Sequence, residues 1–547
     1  MNNDELKKIV KKIDIRYYLI FIVTFVTALI AHGSILFKKI SYHDDASDLN
    51  SLGTTFYAGR WMLGFLEQFD GLVWGTNHYS LPLFNGIVSL FFLQISLLLI
   101  VKMLKINNYI LCGLLSIVIV AFPSTTSLFG YMFTAPYYSL AILLAVAGAY
   151  IICLYKKFVY QLLGIIFLVM SIGIYQAYIP VFLSLMLLYF VFVENEKKIS
   201  WKKYLKTAVN YVICVILSVT LYIFMAKLMS VIYEEPLEEY QNINSFGATD
   251  FRGYLNRLFF CYKYYFNPTS LSTKNESMFP FTVRYVYVFL VVIGMIVEVF
   301  NLLNGTNIKG KIKRTGIMQK VIGLLLFPLS MNFIFVMCPK GNVYPLMLFG
   351  QFFIYVFVAC IIENFLNYRT ECSEVKNDIK IKCSKVIVEK IMCVCLILGM
   401  LFNGIHYTRC ANIWYLKMEL NQNRIVNYLN GVIADIKDVD GYNDELPVLF
   451  LGRGNNKDNN LVELTDFDEI SFSPNTSIDS ILGVYEYSWN AYLKIWCGFS
   501  PLILDEGKKA YFYEKEEVIN MPDYPDEGSV KIVDGVIVVK FSIPEQD

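Results

Sequence analysis

The sequence predicts a polytopic α-helical membrane protein with a small α/β domain at its C-terminus, and three observations carry that expectation. Of 547 residues, 56% are hydrophobic and only 17% charged, with a mean hydropathy of +0.49. Apolar runs close to the ~20 residues that cross a bilayer recur as far as Tyr407. Charge is segregated: from Asp435 to Asp547 there are 23 acidic and 9 basic side chains, a net of −14, which leaves +15 on the rest. A chain this apolar cannot hide such runs in a water-soluble core, so an ordinary cytosolic enzyme is excluded. Intrinsic disorder needs low hydrophobicity, and a disulfide scaffold needs dense cysteines in a short chain, so both are excluded as well.

About eleven spans are expected: 17–36, 82–104, 109–128, 136–155, 158–174, 177–193, 205–233, 283–303, 317–338, 344–366 and 386–407. The fifth and sixth come from one long apolar stretch that Tyr175, Gln176 and Pro180 interrupt. The first sixteen residues are polar and basic, with no cleavage-site pattern of a signal peptide. Together with the lysines at span ends, the loops on the N-terminal side hold 23 Lys and Arg, whereas the opposite loops before the tail hold 8. Positively charged loops stay cytoplasmic. The expected order is therefore a cytoplasmic segment 1–16, a membrane domain 17–407 with outer loops 37–81 and 234–282, and an acidic extracytoplasmic domain 408–547. The plasma membrane is the expected location.

The tail is a different object. From Arg409 to Val439, Trp414, Tyr415, Met418, Ile425, Leu429 and Ile433 recur at helical spacing. Pro447 to Leu451 is a buried-strand run ending at Gly452. Near the end, Val530 to Val533 and Val536 to Phe541 flank Asp534-Gly535, a strong short hairpin signal. These pieces give a small α/β domain, read as a lid or recognition surface without chemistry.

Twelve cysteines are scattered over spans and loops, and the closely spaced Cys393 and Cys395 lie inside an apolar helix. They read as core residues. No glycine-rich phosphate loop, H-E-x-x-H or G-x-S-x-G occurs, which removes the common nucleotide-binding and hydrolase readings. Chemistry is expected in the first outer loop. There Asp44 and Asp45 stand beside the membrane exit, where paired acids are costly without a task; the plain alternative is a solvated anchor at the span end. Beyond Asp48, the residues Leu52, Thr55, Phe56, Leu63, Leu66 and Phe69 give a loosely helical apolar stripe, so an amphipathic helix on the membrane surface is expected, carrying Arg60.

These residues carry a resemblance. Asp44-Asp45 after the first span, Gly59-Arg60-Trp61 on a juxtamembrane helix, Phe122-Pro123 at the end of the third span and Tyr175-Gln176-Ala177 between two spans are similar to the glucosyltransferase II family. Its members are serotype-converting membrane glucosyltransferases that use a polyprenyl-phosphate sugar. The resemblance covers roughly 17–407 and implies a GT-C-type fold with its active site on the outer face. It implies transfer of a hexose, glucose in this family, to an extracytoplasmic glycan such as an O-antigen or wall polymer.

The chemistry fits that implication. A sugar on a lipid phosphate keeps its chain in the bilayer and its reactive carbon at the surface. A carboxylate, Asp44 or Asp45, would take the acceptor hydroxyl proton as that oxygen attacks C1 and the phosphate leaves from the opposite side, inverting the anomeric centre. The departing phosphate needs fixed cations, for which Arg60, Lys227 and Arg252 are the candidates. Each has a bland alternative: Arg60 and Lys227 can snorkel to headgroups, and Arg252 can flank a solvated helix. Candidates for lining the substrate groove are His43, Trp61, Tyr175, Gln176 and Lys340. Asp44, Asp45 and Asp48 also spell D-D-x-x-D, which on a helix could hold a divalent cation; no other cofactor is called for. The acidic tail is expected to be dispensable for donor cleavage but not for acceptor choice. The expected partners are the bilayer, the lipid-linked donor and the glycan acceptor, with no nucleic acid. The competing classes are a polysaccharide polymerase or ligase and a lipid-linked sugar transporter, although mid-depth charges and repeated halves expected of a transporter are not evident.

Overall fold

The computed structural model of the chain describes residues 14–41, 44–53, 55–194, 201–237, 250–268, 281–308, 314–338, 343–374, 383–452, 470, 472, 486–504 and 506–541. It is mostly helical. Among the described residues, eight helices are long and apolar enough to cross a membrane, or nine if the bent pair Tyr109–Ala121 and Pro123–Phe129 forms one span. The expectation was eleven. Two further apolar helices, Phe158–Ile174 and Lys320–Met331, fall short of full span length. The chain divides into two compact units, one of Met1–Lys39 with Asn50–Asn412, the other of Ile40–Leu49 with Ile413–Asp547. The helix Cys383–Lys437 supplies residues to both.

In the first unit the breaks follow the prolines. Pro123 opens a new helix at a 43° bend, because a proline at the first helical position gives up no hydrogen bond. Helix Phe158–Ile174 stops before Tyr175, a short turn Gln176–Tyr178 follows, and Pro180 starts Ile179–Tyr189. Close approach of backbones holds neighbouring helices together. At Gly148 a side chain would meet the Gly164 carbonyl at 2.9 Å, so Ala135–Leu154 and Phe158–Ile174 pack through small residues, as membrane helices do. Several buried polar side chains are paired within the protein, where lipid would offer them no partners. Gln94 Nε2 donates to Thr24 Oγ1 at 2.6 Å, Tyr287 Oη donates to Gln351 Oε1 at 2.6 Å, and Lys320 meets the wholly buried Glu298 at 3.0 Å.

The second unit is built on a three-stranded sheet of order β1-β3-β2, with β1 (Val448–Leu451) parallel to β3 (Val536–Lys540) and β2 (Val530–Val533) antiparallel to it. Asp534 and Gly535 both have positive φ, 49° and 76°, which suits the tight hairpin turn between β2 and β3. Alternation along β3 serves two layers. Ile537 and Val539 face a core with Ile425, Leu429, Val432 and Ile436 of the long helix, whereas Val536 and Val538 face Phe512, Val518 and Met521. The expected helical positions Trp414, Tyr415, Met418, Ile425, Leu429 and Ile433 are all buried. Ala46, from far up the chain, inserts into the first of these layers.

Candidate functional site

Asp44 and Asp45 open a single helical turn, Asp44–Ser47, within the second unit. The turn is closed on Asp44, whose carbonyl accepts from the Asp48 amide at 2.7 Å and from Ser47 Oγ at 3.0 Å. Successive helical residues point about 100° apart, and the two acids divide accordingly. Asp45 is wholly buried, and its Oδ2 accepts from Ser41 Oγ at 2.9 Å. Asp44 stays half-buried. Ser41 is itself held on both backbone sides: its amide donates to Gln422 Oε1 at 2.8 Å, and its carbonyl accepts from Tyr492 Oη at 2.7 Å.

The Gly59-Arg60-Trp61 and Tyr175-Gln176-Ala177 motifs meet each other in the first unit. A turn at Phe56–Ala58 passes through Gly59, whose φ of 72° lies in the left-handed region that glycine tolerates, and Arg60 then caps helix Trp61–Trp74. The helix thus begins at Trp61 rather than near Asp48, because the left-handed turn at Gly59 breaks the apolar stripe. Gln176 Nε2 holds this approach by donating to the Ala58 carbonyl at 2.8 Å and to Tyr222 Oη at 2.9 Å. Arg60 is buried at 8% exposure with its guanidinium carbon 5.1 Å from the centre of the Tyr175 ring. Tyr175 stacks on Tyr138 at 4.4 Å, and Tyr178 stands edge-on to Tyr175 at 5.3 Å. A guanidinium in such an aromatic setting presents its planar fork of donors, the geometry that matches phosphate oxygens. Trp61 lies against Gly173, where any side chain would collide with the indole.

The other candidates are not drawn into this group. Lys227 and Arg252 lie on exposed faces of their helices, Trp201–Ile232 and Phe251–Phe266. His43 and Lys340 fall outside the described residues. Among the described residues no set of three or more His, Cys, Asp or Glu is placed to hold a metal ion, and the D-D-x-x-D residues do not converge into one, since Asp45 turns into the core of its unit. Sequence reasoning missed Tyr138, Tyr178, Tyr222, Ser41, Gln422 and Tyr492. It also missed the buried His78 in the first unit, whose Nδ1 lies 3.0 Å from Oδ2 of the half-buried Asp70 and 3.3 Å from Tyr137 Oη. The one local signal was Tyr137-Tyr138 after Pro136, a polar-tipped pair at the start of an apolar helix.

The profile described as Glucosyl transferase GtrII matches residues 33–355, which include the acid pair, the Arg60 group and the Phe122-Pro123 break. The chain belongs to this family. No curated protein and no solved structure matches it. Membership in the GtrII family makes the chain a glucosyltransferase, and its long apolar helices make it a multi-pass membrane protein. The match ends at residue 355, so nearly all of the second unit other than its acid-bearing segment lies beyond it.

Proposed function

We propose that this GtrII protein moves glucose from a polyprenyl-phosphate carrier to an extracytoplasmic glycan, with inversion at C1. The observation that carries the reading is the buried Arg60 over Tyr175, built from two motifs about 115 residues apart in the matched region. A guanidinium presents a planar fork of donors that matches phosphate oxygens, and a departing lipid phosphate is an anion that such a fork can hold. Asp44 is assigned the general base, because a base must reach the acceptor hydroxyl and Asp44 is the accessible member of the pair. Asp45, spent on Ser41, anchors the turn. In this reading the N-terminus is cytoplasmic, the protein lies in the plasma membrane, and both motifs work on the outer face.

The test is direct. Purified protein given labelled polyprenyl-phosphate glucose and a glycan acceptor should release the free lipid phosphate and label the acceptor with inverted configuration. A retained configuration would refute the single-displacement mechanism. Transfer from a nucleotide sugar with no use of the lipid donor would refute the donor.

A further inference from the structure

We infer that the C-terminal unit is a positioning device for the catalytic carboxylate, acting through Ser41; the inference rests on the assignment of Asp44 as the base. Its ground is the way every hydrogen-bonding group of Ser41 is used. The amide goes to Gln422 on the long helix, the carbonyl to Tyr492, and the hydroxyl to Asp45. Ser41 is buried at 1% exposure, so water does not substitute for these partners. Five residues further on, Ala46 is wholly buried among Ile425, Leu429, Trp489, Tyr492 and Leu493 of the same unit. The four-residue turn that presents Asp44 is therefore tied through Ser41, which precedes it, and through Ala46, within it, to side chains more than 370 residues away in sequence.

This gives the tail a part in the reaction rather than the separable role its composition suggested. A short turn has too few internal bonds to hold its own orientation. A base displaced by about 1 Å loses on the order of 10²-fold in rate. Gln422 and Tyr492 touch neither donor nor acceptor in this account. They are positioning residues, and their loss should lower kcat while leaving the donor KM in place, because the groups assigned to donor binding lie elsewhere in the chain.

The experiment compares Tyr492→Phe, Gln422→Met and Gln422→Glu with Asp44→Asn in the purified full-length protein, measuring kcat and donor KM for labelled polyprenyl-phosphate glucose. Tyr492→Phe and Gln422→Met should each lower kcat about 10- to 100-fold at unchanged KM. Gln422→Glu keeps the acceptor for the Ser41 amide and should restore most of the rate. Wild-type kcat in both Tyr492→Phe and Gln422→Met beside an inactive Asp44→Asn would overturn the positioning role while leaving the base assignment intact. Wild-type turnover by Asp44→Asn would overturn both. Should Tyr492→Phe fail to fold, the Gln422 pair decides alone: equal kcat in Gln422→Met and Gln422→Glu overturns the inference.

Discussion

Gly173 offers the sharpest perturbation of the Arg60 group, because it changes neither charge nor any group assigned to the chemistry. A methyl at Gly173 would lie 2.6 Å from Cε2, 2.8 Å from Cζ2 and 2.9 Å from Nε1 of Trp61, where ordinary contact begins at 3.4 Å. The indole must therefore move by close to an ångström. It has little room, being 6% exposed and edge-on to Phe65 at 5.8 Å. Overpacking of this kind costs about 1–3 kcal/mol of stability. Because Trp61 directly follows Arg60, its displacement also carries the guanidinium away from Tyr175. A desolvated cation–aromatic contact contributes up to about 2 kcal/mol, and losing half of it weakens an anion held there about fivefold. Gly173→Ala should accordingly raise the donor KM about five- to tenfold, with a smaller effect on kcat, in an assay with labelled polyprenyl-phosphate glucose. Gly113→Ala is the control, for nothing lies within 4 Å of a side chain there. A wild-type donor KM in Gly173→Ala, alongside a lowered unfolding midpoint that proves the collision, would refute the link between Trp61 packing and the phosphate cation.

Asp44→Asn should cost about 10²- to 10⁴-fold in transfer with normal folding, whereas Asp45→Asn should cost less in rate and about 1–3 kcal/mol in the stability of the second unit, through its bond to Ser41; rates and thermal unfolding of the two variants separate these roles. A cysteine placed at Asn77 should react with an impermeant reagent from outside intact cells, and one placed at Lys203 only after permeabilisation; external labelling of Lys203→Cys would invert the proposed orientation. Arg60→Lys should raise the donor KM, since an ammonium lacks the two-pronged geometry of the guanidinium, and an unchanged KM would remove Arg60 from phosphate binding. Lys515, joined by Tyr511, holds Asp534 below the usual carboxylate range. A depressed folded value means that stability is present above the unfolded value of about 3.9 and lost as pH falls through the folded one. The tryptophan-fluorescence unfolding midpoint of the second unit should thus fall slightly on acidification below about pH 4, and Asp534→Asn should flatten part of that fall; an unaltered profile would count against the pair.

What was legible in the sequence was whatever local chemistry decides. Long apolar runs gave the membrane helices, Pro180 gave a break between two of them, and Asp534-Gly535 gave the hairpin that pairs β2 with β3, whereas the bend at Pro123 falls inside the expected span 109–128. The helical apolar positions between Trp414 and Ile433 were readable for the same reason. The number of spans was less legible, because hydropathy does not distinguish a full crossing from a shorter helix such as Phe158–Ile174. Asp44, Asp45 and Arg60 were readable as residue types out of place beside a membrane. Their supports were not. No periodicity links Ser41 to Tyr492 across 451 positions, or Gln176 to the Ala58 carbonyl across 118, and such pairs exist only once the chain has folded.

The attachment of Ser41 to Gln422 and Tyr492 also has a consequence for the order of synthesis. A ribosome adding about 5–20 residues per second needs on the order of half a minute to a minute and a half to travel from Asp45 to Tyr492. Until its end the acid-bearing turn has emerged without the full set of side chains that fix it. Closing a loop of this length is entropically expensive but only logarithmically so, which makes late capture feasible once the last strands arrive. A chain interrupted between the long helix and Tyr492 would therefore hold all its apolar helices and still leave Ser41 without its Tyr492 partner. The final stretch of translation, rather than membrane insertion, would set the moment at which a newborn molecule becomes competent.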